Sequence, residues 1–268
     1  MPYKEAPSQR LAFERVRRAS VQYASNLRKV ALHIGHLVQG FNPLDEVEMA
    51  NLQMLLFRYA QTLAPWAKAQ AARMLTEIGR RDTRAWEQYS RQMGMAMREE
   101  LVSSSTGVVL RAALARQVDL ITSLPTVAAQ RVHDLTVENL AQSKRPAQIA
   151  EEIMKTGQVT KSRATLIART EVARTASELT EARAVAVGST HYIWRGVRDK
   201  RERDSHWHME GRVCEWANPP EVEPGKRYHA GRIYNCRCWP EPIVPLDDDD
   251  NRELRIVGGN AAPITRRR

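Results

Sequence analysis

Apolar residues recur at helical spacing through the first two thirds of the chain. Tyr23, Leu27 and Ile34, for example, fall four and seven positions apart. Because an α-helix turns once in about 3.6 residues, this spacing places apolar side chains on one face. The same pattern predicts helices over residues 10–38, 44–80, 82–102, 108–121, 125–142 and 160–186, with a short helix between Pro146 and Gly157.

Proline and glycine mark the predicted interruptions of these helices. Asn42-Pro43 is a start signal, since asparagine caps a helix and proline suits its first turn. Pro65 is expected to kink or break the second helix, because proline lacks the backbone N–H that the helix needs. We expect Gly157 to end the short helix and Gly188 to close the last one.

The hydrophobic period changes after Gly188. His191–Val197 is rich in strand-forming residues, and short segments separated by Gly, Pro and Asn continue to Pro245. The sequence therefore predicts an α+β protein, with a long helical N-terminal body followed by a small C-terminal module of helix and short strands. The predicted divisions are a partner-binding body over 1–144, the module over 145–245 and a charged tail over 246–268 that is flexible or ordered by a partner.

The charge balance of the chain is basic. Its 268 residues carry a formal net charge of +10, which favours nucleic acid or an acidic protein surface without choosing between them. No apolar run approaches the roughly 18 residues that would cross a bilayer, and the N-terminus lacks the apolar segment of a secretory signal. We therefore expect no membrane partner and a reducing cytoplasm, where cysteines serve as thiols or metal ligands.

All three cysteines and three of the seven histidines lie in one C-terminal stretch. Zinc prefers thiolate and imidazole ligands, and a structural zinc site takes four ligands in tetrahedral geometry. The stretch offers six donors: His206, His208, Cys214, His229, Cys236 and Cys238. A structural metal site built from some of them and a small core of buried thiols and hydrogen-bonded histidines both fit this pattern.

Charged residues precede the first of these histidines. An extended strand from Asp199 would place Asp199, Arg201 and Arg203 on one face, where they would bind phosphate or form reciprocal salt bridges. The same strand would put His206 and His208 on one face, a spacing that suits two ligands of one ion.

The last predicted helix carries Arg169, Glu171 and Arg174. Glu171 and Arg174 share a face. Two interpretations stay open: a surface ion pair, or an inward Arg169 or Glu171 that holds the following module through charge-assisted hydrogen bonds.

Catalytic motifs are not evident in the chain. His-x-His followed by Asn resembles the small His-Asn-His metal nucleases, but these need a helix after a hairpin, and Pro240, Pro242 and Pro245 exclude a helix soon after Asn235. The chain also lacks a nucleophile elbow, a Walker loop and a dinucleotide-binding glycine fingerprint. A cysteine protease would need a histidine beside one of the cysteines, and nothing in the sequence places one there.

The order of motifs between Ile167 and Cys238 resembles a known family. The motifs are Ile-Ala-Arg-Thr-Glu at 167–171, Trp194, Asp-x-Arg-x-Arg-x-x-His-x-x-x-x-Gly from Asp199 to Gly211, Pro224-Gly225, and Asn-Cys-Arg-Cys at 235–238. Their order is similar to that of the phage head morphogenesis domain, the family of the Mu F-like minor head proteins of tailed phages. The resemblance covers about residues 145 to 245.

The resemblance separates the motif residues from the rest of the cluster. It assigns a structural role to Arg169, Glu171, Asp199, Arg201, Arg203 and Gly211. Met209-Glu210 stands where the family usually has Leu-Asp, a conservative departure. His208, Cys214 and His229 lie outside the family's pattern, so a structural zinc ion would rest first on His206, Cys236 and Cys238.

The resemblance implies a minor structural protein of the virion head. Such a protein is present in few copies at the portal vertex, is assembled in the host cytoplasm, and binds the portal protein and other head or neck proteins. Some family members affect DNA packaging or ejection, which makes packaged DNA a further partner to test. The alternatives are a metal-dependent nuclease or toxin-like enzyme delivered with the phage genome, and a host DNA-binding protein.

Overall fold

Long helices form most of the computed structural model, which describes residues 7–90, 105–141, 146–245 and 254–256. The helices are α1 (Pro7–Gln39), α2 (Glu46–Ser90), α3 (Ser105–Ala141), α4 (Pro146–Met154) and α5 (Thr156–Ala186). Short strands follow them. The α+β class predicted from the change of hydrophobic period is confirmed.

Two prolines do not interrupt their helices. Pro65 lies inside α2 and Pro125 inside α3. The separate helices expected over 108–121 and 125–142 are therefore one helix. Pro65 does not break α2, and a kink at Pro65 stays a prediction. A proline costs a helix about 3 kcal/mol, and burial of neighbouring apolar side chains such as Leu63 and Ala67 offsets this cost.

The two glycines expected to end helices differ in their roles. Gly188 follows α5 with a φ of 82°, a left-handed conformation typical of a helix end, which confirms the prediction. Gly157 lies instead in the first turn of α5, and the expectation that it ends the preceding helix is wrong. A Cβ atom on Gly157 would lie 2.7 Å from the Cα atom of Gly35, so this glycine permits close packing of α5 against α1.

The chain divides into two compact units. Unit 1 comprises Met1–Ser20, Leu75–Ala113 and Arg169–Arg268, and unit 2 comprises Val21–Met74 and Leu114–Ala168. Unit 2 is helical, and its buried side chains include Leu27, Ile34, Leu52, Leu56 and Ile121. The predicted boundaries at residues 144 and 245 remain predictions.

The described strands of unit 1 are β1 (His191–Arg195), β2 (Val213–Glu215), β3 (Glu221–Glu223), β4 (Lys226–Arg227), β5 (Trp239–Pro245) and β6 (Leu254–Ile256). Four of them form an antiparallel sheet in the order β2-β1-β5-β6, and β3 and β4 form a separate two-stranded sheet. A four-residue helix, α6 (Asp204–Trp207), lies between β1 and β2. The strand predicted from His191 is confirmed.

The sheet and the turns around it bury an aromatic and sulfur-rich core. Its members are Ala184, Val187, Tyr192, Trp194, Met209, Cys214, Trp216, Ala230, Cys236 and Cys238. All three cysteines are free thiols in this core.

The predicted tail falls mostly outside the described residues. Of residues 246–268, the structure describes 254–256, which form β6 and pair with β5. Within the described part of the chain, no helix has an apolar stretch long enough to cross a membrane.

Candidate functional site

Three of the six predicted metal donors converge in the core of unit 1. His206 lies in α6. Cys238 directly precedes the first residue of β5, and Cys236 lies two residues before Cys238. The Nδ1 atom of His206 lies 3.3 Å from the Sγ atom of Cys238 and 3.6 Å from the Sγ atom of Cys236. All three residues are buried, and their ligand atoms lie within 4.8 Å of one another. These are the donors on which the family resemblance placed most weight.

The other three donors make different contacts. His208 is exposed, and its Nδ1 atom lies 2.7 Å from the carbonyl oxygen of Asp204. Cys214 lies in β2, where burial raises the pKa of its thiol. The Nδ1 atom of buried His229 lies 3.1 Å from the Tyr192 hydroxyl, and desolvation lowers the pKa of the His229 imidazole. His208, Cys214 and His229 are thus not part of the group formed by His206, Cys236 and Cys238.

The segment that contains His206 is not the expected strand. The carboxylate of Asp199 accepts a hydrogen bond from the backbone N–H of Arg201 at 2.9 Å, an Asx-type turn that diverts the chain before α6. Asp199, Arg201 and Arg203 therefore do not form a row on one strand face, and this prediction is wrong. The helical turn also directs His206 inward and leaves His208 outside, so the two imidazoles cannot share one ion.

The motif residues before α6 hold the segment in place. The guanidinium of Arg237 binds the Asp199 carboxylate with one contact of 2.5 Å, and this hydrogen bond lowers the pKa of Asp199 to about 2. Arg203 donates to the carbonyl of Tyr234 at 3.0 Å, and its guanidinium lies 4.6 Å from the centre of the Tyr234 ring. Both arginine contacts tie the turn before α6 to the segment before β5.

The imidazole of His206 is oriented by two further side chains. Its Nε2 atom lies 3.1 Å from the Tyr228 hydroxyl, which lies 3.2 Å from a carboxylate oxygen of Glu223. Because the carboxylate can only accept, Tyr228 donates to Glu223 and accepts from Nε2. This network assigns the proton of neutral His206 to Nε2, so the lone pair of Nδ1 faces the two sulfur atoms.

Glu202 is a member of the site that the sequence reasoning missed. One carboxylate oxygen, Oε1, lies 3.2 Å from the Sγ atom of Cys238, and the other accepts a hydrogen bond from the backbone N–H of Arg198 at 2.6 Å. A Cβ atom on Gly196 would lie 2.3 Å from Oε1, so glycine makes room for this carboxylate. The available signal was the spacing of Glu202 four residues before His206.

The two adjacent thiols differ in acidity. Their mutual contact lowers the pKa of Cys236 well below its ordinary value and raises that of Cys238. The Sγ atom of Cys236 also accepts the backbone N–H of Cys238 at 3.4 Å. The contact therefore favours ionisation of Cys236 over that of Cys238.

Four polar residues on one face of α5 bind the segment before β5. They are Thr170, Arg174, Ser177 and Glu181, spaced three or four apart. Thr170 accepts the Asn235 N–H at 2.9 Å, Arg174 donates to the Arg232 carbonyl at 3.0 Å, and Ser177 donates to the Ala230 carbonyl at 2.7 Å. Glu181 pairs with the Arg232 guanidinium. These contacts fix the approach of Cys236 to the cluster.

The Arg-Thr-Glu motif contacts the segment before β5 directly through Thr170, and Glu171 pairs with Arg174 of the same helix. Glu171 is buried and lies 3.2 Å from the guanidinium of Arg174, whereas Arg169 is exposed on α5. Glu171 is thus inward, as in one interpretation, and it forms the ion pair with Arg174 that the other predicted; that Glu171 holds the module stays a prediction. Thr170, which the sequence reasoning did not single out, makes the direct contact with the Asn-Cys-Arg-Cys segment.

Two motif residues adopt left-handed backbone conformations. Asn235 has a φ of 54°, a region that asparagine tolerates better than most residues. Gly211 has a φ of 75°, and its N–H donates to the Trp194 carbonyl at 2.9 Å. Asn235 thus turns the chain into Cys-Arg-Cys, and Gly211 closes the turn after α6.

Comparison with known proteins gives a family match and one relative. Residues 130–240 match the model of the family described as Phage Mu protein F like protein. A protein of Haemophilus influenzae described as an uncharacterized protein is 30% identical over 145 residues. The aligned region covers 54% of this chain and 31% of that protein, so the chain spans about a third of its relative's length. No solved structure matches the chain.

The matched segment contains α4, α5 and the whole His206, Cys236 and Cys238 cluster. The family predicted from the ordered motifs is confirmed. Residues 130–240 of this chain are similar to the phage Mu protein F like family.

Proposed function

We propose that this chain is a minor structural protein of a tailed-phage head that acts at the portal vertex during head assembly. The family match over residues 130–240 is the observation that carries the proposal. Similarity to a family of phage head proteins argues for a place in the virion and for a structural role rather than an enzymatic one. The portal protein and neighbouring head or neck proteins are the proposed partners.

Exposed apolar side chains in unit 2 support a partner-binding role for the helical part. Val47, Met54 and Phe57 of α2 are exposed by 71%, 49% and 45%. Their spacing of seven and three residues puts them on one side of the helix. Exposed apolar groups that lie together favour protein contacts, so this side of α2 is the proposed portal-facing surface.

The positive net charge of the chain supports a second contact, with packaged DNA. A net charge of +10 is compatible with a protein that sits beside DNA, since Lys and Arg neutralise phosphates. The nuclease alternative receives no comparable support. The segment after Asn235 forms strand β5, with Pro240 and Pro242 in it, where a His-Asn-His nuclease would need its ligand-bearing helix.

Purified phage particles provide the test. We expect mass spectrometry to find this chain at a few copies per particle and antibody labelling to mark a single vertex. The double variant Val47→Asp/Phe57→Asp should remain helical by circular dichroism but be lost from the particles. Val159→Asp, at a 45% exposed position of α5, is the matched control and should be incorporated normally. Absence of the unaltered chain from particles would overturn the proposal.

A further inference from the structure

The cluster in unit 1 has the dimensions of a tetrahedral metal site. Zinc binds thiolate sulfur at about 2.3 Å and imidazole nitrogen at about 2.0–2.1 Å, which at tetrahedral angles separates sulfur from nitrogen by about 3.5 Å. The two observed distances from His206 Nδ1 to the sulfur atoms are 3.3 and 3.6 Å. A zinc ion therefore fits between these three donors without rearrangement of the backbone.

A fourth donor lies next to them. The Oε1 atom of Glu202 is 3.2 Å from Cys238 Sγ, against about 3.6 Å expected between oxygen and sulfur ligands of one zinc ion. The Arg198 N–H holds the other oxygen of Glu202 at 2.6 Å. Among the described residues, His206, Cys236 and Cys238 are the donors whose ligand atoms lie within 4.8 Å of one another. Glu202 therefore has to turn toward the other two donors to complete a four-coordinate, closed site.

The surroundings of the cluster have the features of a metal's outer shell. Metal-binding histidines commonly donate their second ring N–H to an oriented polar group. Here the Tyr228 hydroxyl accepts a hydrogen bond from the Nε2–H of His206 and donates one to the Glu223 carboxylate. Cys236 receives the Cys238 N–H, which stabilises a thiolate. Arg237, between the two cysteines in sequence, binds the Asp199 carboxylate at 2.5 Å and so holds the Cys-Arg-Cys segment against the turn before α6.

We propose that His206, Cys236, Cys238 and Glu202 bind one structural zinc ion. Binding removes the proton of Cys238, so both sulfur atoms coordinate as thiolates, His206 coordinates through Nδ1 and Glu202 through Oε1. The ion joins three segments of unit 1: the turn at residues 196–202, helix α6 and the start of β5. All four coordination positions are occupied by protein, so the site has no opening for a substrate and stabilises the fold. This proposal is independent of the function proposed above.

Metal analysis of the full chain tests the proposal. After purification with added zinc and removal of excess metal, we expect one zinc per chain by mass spectrometry of metals. Cys236→Ser should lose the metal, whereas Cys214→Ser, the control at the third buried cysteine, should keep it. A metal-free wild-type chain, or equal zinc retention by Cys236→Ser, would overturn the site.

The role of Glu202 needs its own readout. With cobalt in place of zinc, sulfur-to-metal absorption reports the number of thiolates, so Glu202→Cys should raise this band by about half, from two sulfur ligands to three. Glu202→Gln should weaken zinc affinity at least about tenfold. Glu223→Gln, which alters the outer shell, should leave the cobalt band unchanged. If Glu202→Cys leaves the band unchanged and Glu202→Gln retains full affinity, Glu202 is not a ligand.

Discussion

The buried charge group around Arg195 gives a prediction about stability. Arg195 is 8% exposed, and its Nε atom lies 2.5 Å from a carboxylate oxygen of Glu241, which is 2% exposed. Its Nη1 atom lies 3.3 Å from Glu210, whose other oxygen accepts the Gly196 N–H at 2.5 Å. The guanidinium therefore connects the end of β1 to β5 and to the turn after α6.

Arg195→Met keeps most of the aliphatic volume and removes the charge. Glu241 then stays buried without the guanidinium, a change that costs about 3–5 kcal/mol in the free energy of unfolding. Arg80→Met removes the surface pair with Glu77, where Arg80 is 60% exposed, and should cost at most about 1 kcal/mol. The double variant Arg195→Met/Glu241→Met should be more stable than Arg195→Met, because it removes the buried carboxylate as well.

Urea unfolding followed by tryptophan fluorescence measures these differences, since Trp194 is buried next to Arg195. The expected order of stability is wild type, then Arg80→Met, then the double variant, then Arg195→Met. A loss below about 1 kcal/mol for Arg195→Met would refute the reasoning, because Arg195 would then contribute no more than a surface charge.

Three further predictions concern pH and backbone conformation. The pKa of His229 is lowered in the folded state chiefly by desolvation. The unfolded chain therefore binds more protons, and the free energy of unfolding should fall as the pH drops below about 6.5. Thermal melts of His229→Gln should show a weaker pH dependence than those of the wild type. Asn235→Ala should cost about 1–2 kcal/mol in chemical unfolding because of the left-handed backbone, while Asn235→Gly should be tolerated; equal costs would exclude the backbone explanation. Gly157→Ala should lower the melting temperature and reduce the free energy of unfolding by about 1–3 kcal/mol, because its Cβ would lie 2.7 Å from the α1 backbone. Gly107→Ala is the control and should leave the melting temperature unchanged, because the nearest atom to its Cβ is the flexible tip of Arg111 at 3.5 Å.

Periodicity was sufficient to predict the fold class and the helices, but not their continuity. The apolar spacing around Pro65 is the same whether the helix breaks or continues, and side-chain burial decides between the two. Likewise, the sequence around Gly157 is typical of a helix end. The structure shows that this glycine instead packs against the backbone of Gly35, a residue far away in the sequence.

Only part of the candidate site could be predicted from the sequence. His206, Cys236 and Cys238 could be selected because the family motif contains them, and the structure brings them together. The pairing of His206 with His208 was wrong because it assumed a strand, and only a period of two puts both imidazoles on one face. Glu202 was missed because the hydrogen bonds of a turn, not a regular period, direct its carboxylate.

The head-assembly account is tested most directly by locating this chain in a density map of the intact virion. The account predicts that residues 130–240 fit density at the portal vertex, with the α2 face of Val47, Met54 and Phe57 against a portal or neck protein. A map in which that vertex is fully explained by other proteins, together with absence of this chain from the particles, would contradict it.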